Sequence, residues 1–188
     1  DSRYFLQAAQ QLKGTEIKLY KEMLPETPSI SAFLSTQLTP GDAVGIDGKM
    51  FSAEEVERMQ AELQKCQIKV KSISDPLDKL WTDRPPMPEA PAFIYETQYA
   101  GKSSIEKIAI IRKELKKCNA KALFLSALDE IAWTLNLRGN DVHCNPVLVS
   151  YLLIEENETH YFIQPQKITA EVATYMKETG VNLHTYEE

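Results

Sequence analysis

No stretch of these 188 residues reaches the roughly 20 consecutive apolar side chains that a membrane helix needs. No secretory signal pattern stands at residue 1, although an internal segment of a longer protein would lack one as well. Cysteine is scarce and odd in number: Cys66, Cys118 and Cys144, with no C-x-x-C pair. That excludes a disulfide framework and predicts reduced thiols in a cytoplasmic protein. Glycine is equally thin, with seven residues that never cluster. There is no phosphate-binding loop, no dinucleotide fingerprint and no nucleophile elbow, so a kinase or a dehydrogenase is not expected. Basic residues are outnumbered 21 to 27, for a net charge of −6, and form no tract. An acidic surface of this kind argues against nucleic acid and against anionic membranes.

What is present is an alternation of short helical and strand patterns. Residues 5–12 read as a helix closed by Gly14, and the abrupt start at Asp1 predicts a segment cut from a larger protein. Residues 16–21 alternate like a strand. Ser29 can cap a helix to Leu38, and residues 43–47 read as a buried strand. Ser52 followed by Glu55 is a capping box that opens a helix through Val56, Met59 and Leu63. Residues 68–73 suggest another strand, and 75–81 a short helix. Four prolines in 82–91 then predict a stiff, extended linker between two domains, or else a proline-rich loop within one domain.

The same rhythm returns after the prolines. Residues 92–96 read as a strand. Ser103 and Glu106 form a second capping box, opening a helix whose stripe is Ile105, Ile108, Ala109 and Arg112. A strand at 122–125, a helix at 126–137, strands at 147–154 and 159–164 around an acidic hairpin, a helix at 169–179 and a last strand at 181–186 complete the pattern. Alternation of this kind predicts an α/β fold of layered units with mixed, mostly parallel sheets.

Candidate chemistry is sparse. Loop 138–146 is the densest polar run, set between a helix and a buried strand, where loops often carry binding groups. Arg138 there can grip a carboxylate through two parallel hydrogen bonds, or pair with Asp141 and tie the loop down. Asp141, His143 and Cys144 are too few and too irregularly spaced for a metal signature. No metal ligands and no catalytic residues are expected in this chain. Glu155, Glu156 and Glu158 read as a solvated hairpin tip, His160 as solvated and His184 as structural. Asp129 and Glu130 suit the start of a helix. A thiol enzyme built on Cys144 and His143 lacks an orienting acid.

Three runs carry a family resemblance. The run from Asp1 to Ala8, Asp-Ser-Arg-Tyr-Phe-Leu-Gln-Ala, resembles D-G-R-Y-F-L-Q-A, with Ser2 in place of glycine. Leu80-Trp81-Thr82-Asp83-Arg84-Pro85 resembles an I-W-x-D-R-P linker. Ala127 to Trp133, with Asn136 to Val142 and Asn145-Pro146-Val147, resembles A-L-D-E-I-A-W-L-x-N-L-R-G-S-D-V-x-x-N-P-V, departing at Thr134, Asn140 and the His143-Cys144 pair. Together they resemble the three-domain Xaa-Pro aminopeptidases of the aminopeptidase P type, over nearly the whole chain. The resemblance implies creatinase/prolidase N-terminal-like units: residues 1–81 as the second half of a first such domain, 82–91 as a linker, and 92–188 as most of a second.

It further implies a non-catalytic region of a cytoplasmic metallopeptidase, inactive alone. Its parent would remove an N-terminal residue preceding proline, using two divalent metal ions, usually manganese, held by a separate C-terminal catalytic domain. The implied partners are that catalytic domain, peptides with proline in the second position, and a second copy in a homodimer. Arg138, Asp141, His143 and Asn145 become candidates for shaping the substrate entrance. The alternative is a stand-alone creatinase-like binding or scaffolding domain without peptidase activity.

Overall fold

A computed structural model describes residues 2–188, and the chain divides into two compact units between Arg84 and Pro85. In unit 1, helix α1 (Ser2–Gln11) carries no buried residue. Helix α2 (Ile30–Gln37) starts where the Ser29 hydroxyl accepts from the Ala32 amide at 3.2 Å. Strand β1 (Ala43–Ile46), helix α3 (Ala53–Gln64) and strand β2 (Lys69–Ser72) form a β–α–β crossover whose strands are parallel, Ala43 opposite Lys69 and Ile46 opposite Ser72. The expected capping box opens α3: Ser52 N–H donates to Glu55 Oε2 at 2.8 Å, and Glu55 N–H donates to Ser52 Oγ at 3.2 Å. These elements close over Ile46, Met59, Leu63 and Ile68.

Two expectations in this unit fail. Residues 16–21 form no strand, and Ile17 and Tyr20 are exposed. Alternation makes a strand only where a neighbour accepts its ladder bonds, and among the described residues none lies alongside. Residues 75–81 form turns instead of a helix. Asp75 there caps the Leu77 amide at 2.8 Å and, with Asp78, holds Arg84 Nη1 at 2.6 and 2.9 Å, so the segment folds around charges. The Arg84 guanidinium lies over the Trp81 ring at 5.2 Å.

In unit 2, strand β3 (Phe93–Ile94) precedes the single turn of helix α4 (Thr97–Ala100) and the long helix α5 (Ser104–Lys117), which the Ser103–Glu106 capping box opens. Strand β4 (Ala122–Leu125), helix α6 (Leu128–Leu135), the short strand β5 (Leu137–Arg138), strands β6 (Ser150–Glu155) and β7 (Thr159–Ile163), helix α7 (Ala170–Glu178) and strand β8 (Asn182–Thr185) follow. The main sheet runs β4-β6-β7-β8, and β3 pairs with β5.

The α/β expectation holds, with mixed sheets, but the parallel share is smaller than expected. Only β7–β8 is parallel in unit 2; β3–β5, β4–β6 and β6–β7 are antiparallel. The β6–β7 connection is a hairpin, which forces antiparallel pairing, whereas α7 provides the crossover that a parallel pair requires.

The strands bury alternate residues. Leu152, Ile154, Tyr161 and Ile163 face the core with Ile108, Ile131, Leu135, Val172 and Met176. Phe124, Tyr151 and Tyr186 stack on the opposite face, at centroid distances of 5.5 and 5.3 Å. The buried face of α5 is rotated from the expected stripe: Ser104, Lys107 and Ile108 are buried, and Ile105 is exposed. Lys107 takes the inner position because Nζ finds the Trp133 carbonyl at 2.8 Å and Asn136 Oδ1 at 2.6 Å, and lies over the Trp133 ring at 4.5 Å.

Candidate functional site

Loop 138–146 joins β5 to the run leading into β6. It folds back on itself: Asp141 N–H donates to the Val147 carbonyl at 3.3 Å, and Asn145 N–H donates to the Val142 carbonyl at 3.1 Å. Cys144 turns the tip with φ at 60°, the left-handed region that non-glycine residues seldom enter. Gly139 is required by contact: a Cβ there would lie 2.2 Å from Leu148 Cδ2, inside the core.

The four candidate side chains separate into two kinds. Arg138 and Asp141 do not pair with each other. Arg138 Nη1 donates to the carbonyls of Ala132 at 2.5 Å and Leu137 at 2.9 Å, and its guanidinium lies over Tyr95 at 4.6 Å. Asp141 Oδ2 accepts from Lys167 Nζ at 2.5 Å and from the Val149 amide at 2.7 Å, and both charged side chains are fully buried. His143 and Asn145 stand exposed beside the exposed Cys144.

Behind the loop, Asn136 ends α6 in the left-handed conformation and is 1% exposed. Its Nδ2 donates to the Lys102 carbonyl at 2.9 Å while Oδ1 accepts from Lys107. Burial pushes the Lys107 ammonium below the usual lysine range, and the nearby Arg138 charge adds to that. Asp129 and Glu130 open α6 as expected, and with Ile111, Leu123, Leu125, Trp133 and Thr134 they also line an open cleft of about 440 Å³.

A second polar cluster sits at the β6–β7 hairpin, on the sheet face away from the core. The glutamates there are exposed as expected and His184 packs as a structural residue, but His160, expected to be solvated, is only 17% exposed because His184 and two carboxylates surround its ring. His160 Nε2 lies 3.4 Å from Glu155 Oε2 and 3.2 Å from Glu158 Oε2. His160 Nδ1 is 2.9 Å from His184 Nε2, and His184 Nδ1 is 2.9 Å from Glu188 Oε2. The His184 contact, followed by the Thr185 hydroxyl and amide, holds the Glu188 carboxyl below its usual range. Among the described residues, Glu155, Glu158 and His160 are the one set of three metal-ligating side chains that converges. A two-ion centre holds its ions about 3.5–4 Å apart and needs ligands for each of them. Three ligands on a hairpin do not fit that requirement.

Comparison with known proteins places both units in one family. Models of the creatinase/prolidase N-terminal domain match residues 1–80 and, as a second model, residues 83–188. Aminopeptidase P2 of Arabidopsis thaliana is 35% identical over all of this chain, which covers 27% of that protein. The probable Xaa-Pro aminopeptidase P of Sordaria macrospora is 36% identical over 99% of the chain and 31% of its own length. The chain therefore spans less than a third of these relatives. The X-prolyl aminopeptidase of Caenorhabditis elegans, a cytosolic enzyme with a di-nuclear active site, superimposes on the whole chain with a TM-score of 0.90 at 30% identity, over 31% of that protein. With both units matched in order, the chain belongs to the creatinase/prolidase N-terminal domain family.

Proposed function

We propose that this chain is the non-catalytic N-terminal region of a metal-dependent, cytoplasmic Xaa-Pro aminopeptidase. The observation that carries this reading is the superposition of the whole chain, end to end, on part of a much longer X-prolyl aminopeptidase. In this reading residues 1–81 and 92–188 are creatinase-like units joined by 82–91. Removal of a residue preceding proline is performed by a catalytic domain elsewhere in the protein. The two divalent ions, manganese being the family's usual choice, are held there. Cys144 and His143 stand exposed on the loop tip with no hydrogen bond between them and no orienting acid among the described residues, which supports a role in access over a role in bond cleavage.

The region contributes shape to the substrate entrance and contacts within a homodimer. Arg138 and Asp141 serve as anchors, since their charges are consumed by internal carbonyls, an amide and Lys167. His143 and Asn145, on a loop tip held from beneath, are the groups that meet peptide. The test is kinetic, in the full-length enzyme: His143→Ala with Asn145→Ala should lower kcat/KM for long Xaa-Pro peptides by several-fold and leave dipeptide cleavage little changed. Equal values for the variant on both substrates overturn the entrance role. Xaa-Pro cleavage by residues 1–188 alone, with manganese added, would overturn the non-catalytic reading.

A further inference from the structure

The cluster on the β6–β7 hairpin can be read by counting protons. A carboxylate only accepts, so Glu188, 2.9 Å from His184 Nδ1, requires a proton on that nitrogen. In a neutral His184 ring that leaves Nε2 as an acceptor, which suits a proton on His160 Nδ1, 2.9 Å away. The other nitrogen of the His160 ring, Nε2, faces the Glu155 and Glu158 carboxylates at 3.4 and 3.2 Å. Two carboxylate oxygens and an imidazole nitrogen converging on one point need positive charge among them, either a proton on the ring or a bound cation.

The distances separate the two halves of this chain of contacts. Both contacts through His184 have ordinary hydrogen-bond lengths. The two contacts of His160 Nε2 exceed the roughly 2.7–2.9 Å of a charge-assisted N–H···O bond. They lie close to the edge of a tetrahedron around zinc: ligand bonds of about 2.0–2.2 Å place neighbouring ligand atoms about 3.3–3.6 Å apart. The oxygens of both glutamates and Nε2 lie within 4.8 Å of one another. The His184–Glu188 pair has the form of the outer-shell relay that fixes the tautomer of a metal-bound histidine. The His184 ring is held in plane by stacking on Phe162 at 4.9 Å.

We propose that Glu155, Glu158 and His160 bind one divalent transition-metal ion of the zinc type, with His184 and Glu188 as positioning residues and solvent in the open fourth position. Imidazole with carboxylates favours such an ion over calcium or magnesium, which prefer all-oxygen sets. The site lies on the sheet face opposite the buried core.

The test uses the whole 188-residue chain with its three exposed cysteines alkylated, so that thiols do not compete. Titration with Zn²⁺ alone should show one equivalent bound, and Co²⁺ should give the intense visible bands of four-coordinate geometry. His160→Ala should weaken binding by more than tenfold and abolish those bands. His184→Phe should weaken it about 10–100-fold, and Glu156→Gln on the same hairpin should leave it unchanged. Should His160→Ala fail to fold, Glu155→Gln with Glu158→Gln, both solvent-facing, carries the same test. Absence of one-equivalent binding, or binding that survives loss of His160 or of both glutamates, overturns the proposal.

Discussion

In unit 1 two parallel strands and the helix between them close over four buried apolar residues, whereas in unit 2 a four-stranded sheet and its helices close over fourteen. Both units use the same local signals, including one capping box each. The difference lies in what each can afford to bury besides hydrocarbon. Unit 2 encloses an ion pair, Lys167 with Asp141, and a second lysine, Lys107, without exposing either. Among the described residues of unit 1, charges such as Arg84 with Asp75 and Asp78 remain in contact with solvent. A deep core lets charge fix a loop; a shallow one keeps charge at the rim.

The strongest way to break this contrast is Lys167→Ala. It strands the Asp141 carboxylate in the interior, and unit 2 should lose about 3–5 kcal/mol in urea unfolding. Replacing both partners, Lys167→Met with Asp141→Leu, should recover most of that loss. Arg84→Ala in unit 1 should cost far less by the same measurement. A loss at Arg84 equal to that at Lys167 would end the distinction.

Two glycines where an added Cβ would crowd a side chain, Gly139 and Gly45, come next. Gly139→Ala drives a methyl into Leu148, which is itself core, and should destabilise unit 2 by about 1–3 kcal/mol. Gly45→Ala meets only Ile73, with Cδ1 at 2.7 Å and Cγ1 and Cγ2 at 3.2 and 3.3 Å; that side chain is half-exposed and can shift, so the change should cost less. Calorimetry of the two variants checks the order. Ser52→Ala and Ser103→Ala should each cost about 1 kcal/mol, and hydrogen exchange should show the Ser52 loss as the larger fraction of its unit's protection.

The smallest expected effect is on acidification. Glu55 is held below the usual glutamate range by the Ser52 amide and then its hydroxyl; Glu106 is held there by the Ser103 hydroxyl and then its amide. A depressed carboxyl stabilises the fold above its unfolded value, about 4.3, and that contribution is lost as pH falls through the folded value. Helical circular dichroism should therefore decline on moving below that range, and in Ser52→Ala and Ser103→Ala proteins the decline should be smaller. An unchanged decline would remove the caps from the account.

Local signals were legible and distant ones were not. Ser52 with Glu55, Ser103 with Glu106, and Thr169 before α7 each announce a helix within four residues. The alternation at residues 16–21 misleads because a strand is defined by its neighbour. Loop 138–146 was visible as a polar run, but its anchors were not: Lys167 lies 26 residues from Asp141, and Arg138 is held by a carbonyl of α6 and the ring of Tyr95. The histidine cluster offered a partial signal. Glu158 and His160 share a face by the period of two, and Glu155 returns to it across the hairpin. The register of β7 with β8, Phe162 opposite His184, is what adds the relay, and no local pattern encodes it.

The two tryptophans have a practical consequence. Trp81 belongs to unit 1 and Trp133 to unit 2, each half-exposed and each under a cation, Arg84 and Lys107 respectively. The chain therefore carries one intrinsic fluorophore per unit, each beside a charge that withdraws as its unit opens. Paired Trp81→Phe and Trp133→Phe proteins would report the unfolding of each half as a separate emission trace, with no dye attached.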